Sequence, residues 1–176
     1  MHLEIRPWRK SDAKSLQKHA NNRAVAANLT DQFPHPYTLK HAKAFIKNVN
    51  VYNPKRILAI VIQDEAVGSI GITPQGDVHR SNAEIGYWLS ESYWGQGFTT
   101  EAVKKMSAYA FEKFEVNRLF AKCFGYNTPS HRVLEKAGFI VEARFKNVLI
   151  KNNEIHDEII YALRKEDFFR ALKKTS

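Results

Sequence analysis

Apolar and polar residues along the 176-residue chain fall into short runs of two different periods, and the change of period marks where one element gives way to the next. Leu3 to Arg6 reads as a short opening strand. Ala13, Leu16 and Ala20 recur at helical spacing behind the helix-starting pair Ser11-Asp12. Ala42, Phe45, Ile46 and Val49 do the same behind Thr38. Between these two predicted helices, Phe33-Pro34-His35-Pro36 is a loop, because each residue before a proline is pushed out of the helical region. Ile57 to Ile62 is a near-continuous apolar run rich in branched residues. Asp64-Glu65 separates it from Val67-Gly68-Ser69-Ile70-Gly71-Ile72, and the two runs predict a hairpin. After a polar loop from Thr73 to Asn82, Ala83 to Leu89 predicts a third strand, whose interior Gly86 points to a bulge or to a close approach by another group.

That strand leads into a glycine-containing turn, and from Thr100 onward Val103, Met106, Ala110 and Phe114 describe one buried helix face. Arg118 to Phe124 reads as a strand, Pro129 to Ala137 as a helix closed by Gly138, and Ile140 to Ile150 and Ile155 to Leu163 as two further strands. A basic helix from Lys165 follows. No internal repeat, low-complexity tract or Gly/Ser linker divides the chain, so residues 1–176 are expected to form a single domain.

Composition narrows the class. A 44% hydrophobic and 12% aromatic content is that of an ordinary globular protein, and no apolar run is long enough to cross a bilayer. Met1-His2-Leu3-Glu4 has no basic region leading into an apolar stretch, and the single Cys123 cannot form an internal disulfide. The expected location is therefore the cytoplasm, with no membrane partner. Twenty-seven Lys and Arg against eighteen Asp and Glu give a formal charge of +9, which by itself would draw polyanions. The basic residues are scattered, from Lys14 and Lys18 through Lys104, Lys105 and Lys151 to Lys173, so a solvated surface is expected and no direct nucleic-acid role. The seven histidines show no pair at helical ligand spacing, and no metal is expected.

The strongest local chemical signal is a strand, then Trp94-Gly95-Gln96-Gly97-Phe98-Thr99-Thr100-Glu101-Ala102, then an amphipathic helix. A helix amino terminus presents N–H groups without helical partners and a positive dipole end, and glycines let backbone approach a pyrophosphate closely. These are the ingredients of an anion site, and equally of an ordinary tight turn. The segment lacks the third glycine of a dinucleotide fingerprint and the Gly-Lys-Ser/Thr ending of a P-loop.

A second motif follows: Asn127-Thr128-Pro129-Ser130-His131-Arg132-Val133-Leu134-Glu135-Lys136-Ala137-Gly138-Phe139. In this order and spacing the two motifs resemble the GNAT superfamily of N-acetyltransferases. Together with Ala83-Glu84-Ile85-Gly86-Tyr87-Trp88-Leu89, the first is similar to the ribosomal-protein alanine N-acetyltransferase branch, and the resemblance runs from Leu3 to the last strand. It implies an α/β (α+β) fold, a single mixed and mostly antiparallel sheet of six to seven strands flanked by helices and splayed between strands four and five. It implies acetyl-CoA as cosubstrate. The pantetheine arm would pair with backbone at Trp88 and Leu89, and backbone from Gly95 through Gln96, Gly97, Phe98 and Thr99 to Thr100 would wrap the pyrophosphate. Asn127 would hydrogen-bond the cofactor arm, and Lys136 would either meet phosphate or stand in solvent.

Two departures bear on that reading. Trp94 occupies the first position of the phosphate motif and Thr99 its last, and neither removes a backbone donor. Leu134 stands where many relatives carry a tyrosine general acid, so that position has no proton to give. Ser130 is the substitute candidate for protonating the departing thiolate, with capping of its helix as the alternative role. Glu84 is the candidate base, acting directly or through water, or else a carboxylate that only orients the amine or simply faces solvent. A backbone N–H near Leu89 is the candidate oxyanion donor. Cys123, Tyr109, Phe111 and Phe114 read as core.

Direct transfer needs a neutral amine. An α-amino group titrates near ~7.7 and a lysine near ~10.4, a difference of roughly 3.7 kcal/mol at neutral pH. The favoured acceptor is therefore a protein amino terminus, ribosomal or other. Polyamines, aminoglycosides and small peptides remain open, as do a non-catalytic coenzyme A sensor and, from the charge, a nucleic-acid binder. The chain is expected to be a monomer or a homodimer.

Overall fold

Ile57–Ile62, the run with no polar interruption, becomes strand β2, buried along nearly its whole length as a strand covered on both faces must be. In the computed structural model, which describes residues 2–175, it lies between β1 (Leu3–Arg6) and β3 (Glu65–Pro74), antiparallel to both. The β2–β3 connection takes only Gln63 and Asp64. Both lie in the left-handed region (φ 51° and 63°), the geometry of a tight hairpin turn that follows the sheet's own twist. Strand β3 therefore starts at Glu65 and outruns the predicted Val67–Ile72 at both ends.

The remaining elements are α1 (Ala13–Ala20), α2 (Arg23–Ala27), α3 (Leu39–Val49), β4 (Asn82–Leu89), α4 (Phe98–Lys113), β5 (Arg118–Phe124), α5 (Thr128–Lys136), β6 (Ile140–Lys151), β7 (Glu154–Arg164) and α6 (Lys165–Thr175). One seven-stranded mixed sheet runs β1-β2-β3-β4-β5-β7-β6. Its parallel step pairs Asn82, Ala83 and Glu84 of β4 with Arg118, Leu119 and Phe120 of β5, a short contact consistent with strands that splay. By backbone contacts the chain groups into two units. One comprises the chain up to Gly71 together with Tyr87–Ala102; the other comprises Ile72–Gly86 and the chain from Val103 onward.

In the first unit, α1 and α3 bury Leu16, Ala20, Ala42, Ile46 and Val49 against Ala59, Val61 and Ala66 of the sheet. Trp8 packs edge-on to Phe45 at 5.7 Å between ring centroids. Thr38 caps α3 as its sequence position predicts, accepting from the His41 amide. Ser11-Asp12 does not cap α1. The Asp12 carboxylate instead accepts two guanidinium hydrogen bonds from Arg6 (2.8 and 3.0 Å) and one from the Arg9 amide (2.8 Å), with Arg6 and Asp12 both buried. The short helix α2, absent from the sequence-based reading, is capped by Asn22, whose side chain accepts from Ala24 and Val25.

In the second unit, β5, β7 and β6 form an antiparallel set. Leu119, Ala121, Leu134, Phe139 and Tyr161 are buried, as are Val103, Met106 and Ala110 of α4. Phe111 is buried against Phe168, whereas Phe114 is half-buried and meets Tyr109 edge-on. A side chain at Gly86 would meet nothing within 4 Å, so the fold leaves that position of β4 open. Among the described residues no helix is long and apolar enough to cross a membrane.

Burial alone would raise the Asp12 carboxyl, but the Arg6 guanidinium and the Arg9 amide together hold it below the usual carboxylate range. A depressed folded-state pKa adds stability above the unfolded value of ~3.9, and that stability is lost as pH falls through the folded value. Asp12→Asn should cost about 3 kcal/mol near neutrality by stranding the buried Arg6. It should also flatten the acid limb of a stability-against-pH curve. Unfolding curves taken between neutrality and pH ~2 check both.

Candidate active site

The end of β4 is shaped by what β3 lacks. A side chain at Gly68 would lie 2.5 Å from the Trp88 carbonyl oxygen and 3.1 Å from the Leu89 Cα, so the two backbones come together only because residue 68 is glycine. The Ser90 amide then donates to the Val67 carbonyl (2.8 Å), and a single 3₁₀ turn over Glu91–Tyr93 lifts the chain off the sheet. Trp94 folds back, its indole N–H donating to the Leu89 carbonyl at 2.7 Å.

The predicted phosphate turn comes next. Gly95 and Gly97 adopt φ of +74° and +85°, a region costly for any residue with a Cβ, and a Cβ at either would meet nothing within 4 Å. The Gly97 carbonyl accepts from Glu101 (3.1 Å), so α4 starts there and the amides of Phe98, Thr99 and Thr100 occupy its first turn, where no helical acceptor exists. Gly95, Gln96 and Gly97 are exposed, while Phe98 is buried against Tyr93, ring to ring at 6.2 Å. An exposed turn of fixed backbone backed by a buried aromatic, at the positive end of a sixteen-residue helix, suits an anionic ligand.

A polar cluster that the sequence did not disclose holds this region. His19 of α1, buried at 8% exposure, places Nδ1 2.9 Å from the Ser90 hydroxyl and Nε2 2.9 Å from the Glu65 carboxylate. The hydrogen bond from Lys18, against the opposing effect of burial and with help from His19, holds the Glu65 carboxyl below its ordinary range. Asn22 donates to Glu91 (2.8 Å), and His19 lies edge-on to Tyr93. Two side chains from the α1–α2 region thus pin the segment that carries the turn. Beside it Trp88 meets Phe33 edge-on at 6.0 Å, and Phe33 lies against Tyr37, whose hydroxyl burial pushes up to about 12.

The second unit carries the other candidates. Glu84, about a third exposed, forms an ion pair with Lys122 (Oε2 to Nζ, 3.3 Å). Its register partner Phe120 lies under the Arg118 guanidinium at 4.8 Å and near the Lys122 ammonium at 5.7 Å. Arg118 is itself held by Asn82 and by Glu142, and chiefly this guanidinium keeps the Glu142 carboxyl below its usual range. Gln75, His79, Asn82, Arg118, Phe120 and Lys122 line an open depression of about 220 Å³.

Asn127 is the residue before α5, and its side-chain oxygen accepts from the Ser130 amide at 3.3 Å. The cap is therefore Asn127, and Ser130 sits inside the first turn with its hydroxyl 3.5 Å from the Cys123 sulfur. Burial pushes the Cys123 thiol up, which keeps it protonated and a poor nucleophile near neutrality. Leu134 is fully buried, whereas Lys136 stands exposed in the last turn of α5. Trp88, Leu89 and Gly95 to Thr100 thus gather in one unit; Glu84, Asn127, Ser130 and Lys136 belong to the other.

His19→Ala should destabilise the protein by about 1–3 kcal/mol, because it strands the buried Ser90 hydroxyl and removes a partner from Glu65. Thermal denaturation should register a fall of several degrees, at ~2–4 °C per kcal/mol for a chain of this size.

With this geometry in place, comparison with known proteins is informative. Residues 2–140 match the model of the acetyltransferase (GNAT) domain. YnaD of Bacillus subtilis, an uncharacterized N-acetyltransferase, is 31% identical over 168 residues, which span 94% of this chain and 95% of YnaD. The ribosomal-protein-serine acetyltransferase of Escherichia coli is 32% identical over 107 residues, 61% of this chain and 59% of that enzyme. The solved structure of RimL, a ribosomal L7/L12 alpha-N-protein acetyltransferase in complex with coenzyme A, superimposes with a TM-score of 0.79 at 24% identity, covering 92% of this chain and 93% of RimL.

Proposed function

This chain belongs to the GNAT acetyltransferase family and is an N-acetyltransferase; we propose that residues 1–176 form one domain that transfers the acetyl group of acetyl-CoA to a protein N-terminal α-amine in a ternary complex. The carrying observation is the turn with glycines at φ +74° and +85° opening onto the first turn of α4. Its backbone is preset to receive the pyrophosphate without rearrangement. Trp94 leaves the donor set intact, because it acts through its indole on Leu89 rather than through the turn. The second lone pair of the Leu89 carbonyl and the backbone at Trp88 are then the points where the pantetheine arm pairs.

In the transfer, the amine lone pair attacks the thioester carbonyl carbon, the new C–N bond forms, and collapse of the tetrahedral species breaks the C–S bond. Glu84 takes or orients the proton leaving nitrogen, an N–H near Leu89 meets the oxyanion, and the Ser130 hydroxyl gives a proton to the departing sulfur. Asn127, by capping α5, fixes where Ser130 stands, and its side chain would hydrogen-bond the cofactor arm. Lys136, exposed on the same helix, would either meet phosphate or stand in solvent. The preference for an α-amine rests on its lower proton affinity and on relatives named for ribosomal-protein substrates, which also favours a cytoplasmic location.

Acetyl-CoA should raise the melting temperature of the wild-type protein, since a ligand that binds only the folded chain stabilises it by mass action. Gly97→Val, which forces a β-branched residue into the left-handed region without a steric clash, should leave the protein folded but erase that rise. A normal thermal shift in Gly97→Val would remove the turn from the cofactor site.

Ser130→Ala should lower turnover by ~10² with little change in acetyl-CoA affinity, the loss expected when a general acid is removed. Because Asn127 provides the cap, its melting temperature should stay within about 2 °C, at ~2–4 °C per kcal/mol. Turnover equal to wild type would take Ser130 out of the proton route.

A further inference from the structure

The carboxylate assigned to the acceptor amine already has an ammonium beside it. Lys122 Nζ lies 3.3 Å from Glu84 Oε2, and the two side chains share one sheet face because Glu84 is in register with Phe120 and Lys122 stands two residues further along β5. Resting on the reading of Glu84 given above, we propose that Lys122 is a selectivity residue that makes the acceptor site choose weakly basic, singly charged α-amines over lysine side chains and polyamines.

Other charged groups border the pair on this face. Arg118 and Arg164 are both bound to Glu142, His79 borders the depression, and Glu158 lies opposite Phe124 on the same face. Glu84 and Lys122 therefore neutralise each other, and the carboxylate presents no uncompensated negative charge to an arriving amine. An ammonium acceptor must share Glu84 with Lys122 at a separation of a few ångströms and meets like-charge repulsion; a neutral amine does not. The neighbouring cation lowers the proton affinity of the bound acceptor. That is a modest advantage for an α-amine, which is largely neutral just above ~pH 8. It is a severe filter against a polyamine, whose remaining charges stay on when one amine is neutralised. Lys122 does not touch the reacting atoms; it acts through Glu84, and the pair sits on β strands rather than a loop, which fixes the separation.

The test compares wild type with Lys122→Met, which keeps the aliphatic stem, Lys122→Arg, which keeps the charge, and Glu84→Gln. Acceptors are an alanine-terminated peptide without lysine, an α-blocked lysine amide, and spermidine. Lys122→Met should shift the acid limb of the kcat profile for the peptide, which reports the bound acceptor, to higher pH by about half a unit. It should also raise spermidine use relative to the peptide by ~3- to 10-fold, the scale of a partly exposed charge pair. Lys122→Arg should restore both. If Lys122→Met changes neither the limb nor the ratio while Glu84→Gln lowers turnover, the proposal fails and the role of Glu84 stands. If Glu84→Gln turns over at the wild-type rate with an unchanged melting temperature, the reading of Glu84 fails, and the proposal with it.

Discussion

The cofactor-side geometry depends on one contact that a single methyl group would abolish, the approach of β3 to the Trp88 carbonyl at Gly68. With that gap closed, the Ser90 amide reaches Val67 and the strand ends where the 3₁₀ turn can begin. Trp94 can then return its indole to Leu89. Each step fixes the start of the next, so the left-handed glycines at 95 and 97 emerge at a defined place and angle although their own surroundings are open. Rigidity has been put behind the turn, in the buried Phe98, the Tyr93 ring and the His19–Ser90–Glu65 cluster, and the ligand-facing surface is left as bare backbone. A site assembled this way loses little entropy on binding, because its ordering was completed on folding.

Much of this was legible in the chain, and the exceptions have physical causes. Ile57–Ile62 and Arg118–Phe124 fall where their composition places them, since β-branched and aromatic runs bounded by polar residues leave few alternatives. The glycine pair in the turn was legible because positive φ is a demand that sequence can answer in few ways. The close approach of one backbone to another falls at Gly68, which the sequence did not single out: a glycine inside a strand signals crowding, but which glycine is crowded depends on the neighbouring strand. Helix α2 is five residues long, too short to display a period, and of the two phenylalanines read as core on α4 and after it, Phe111 is buried while Phe114 is only half-buried.

Side-chain networks were the least legible. His19 sits 46 residues from Glu65 and 71 from Ser90, so no local spacing connects them, and a histidine following Leu16 on an apolar helix face reads as core until the fold supplies its partners. Asp12 illustrates the same limit at short range. A position that looks like a helix cap was taken by a stronger claim, a two-point bond to a buried guanidinium that would otherwise be left uncompensated. Asn127 and Ser130 both carry cap chemistry, and only the backbone geometry decides that Asn127 does the capping.

On the proposed reading the two substrates would be recognised by different kinds of atom, and this sets how far each can be read. The donor meets backbone amides whose direction is fixed by glycine dihedrals and a helix start, so substitutions such as Trp94 and Thr99 change the side chains around the turn without touching its donors. The acceptor would meet side chains: the Glu84 carboxylate and the lysine paired with it. A single substitution there alters the charge an incoming amine encounters while leaving the sheet that carries it unchanged. On that reading donor chemistry would travel with the fold, whereas acceptor choice would rest on a few half-exposed ionic groups whose effect depends on their separations.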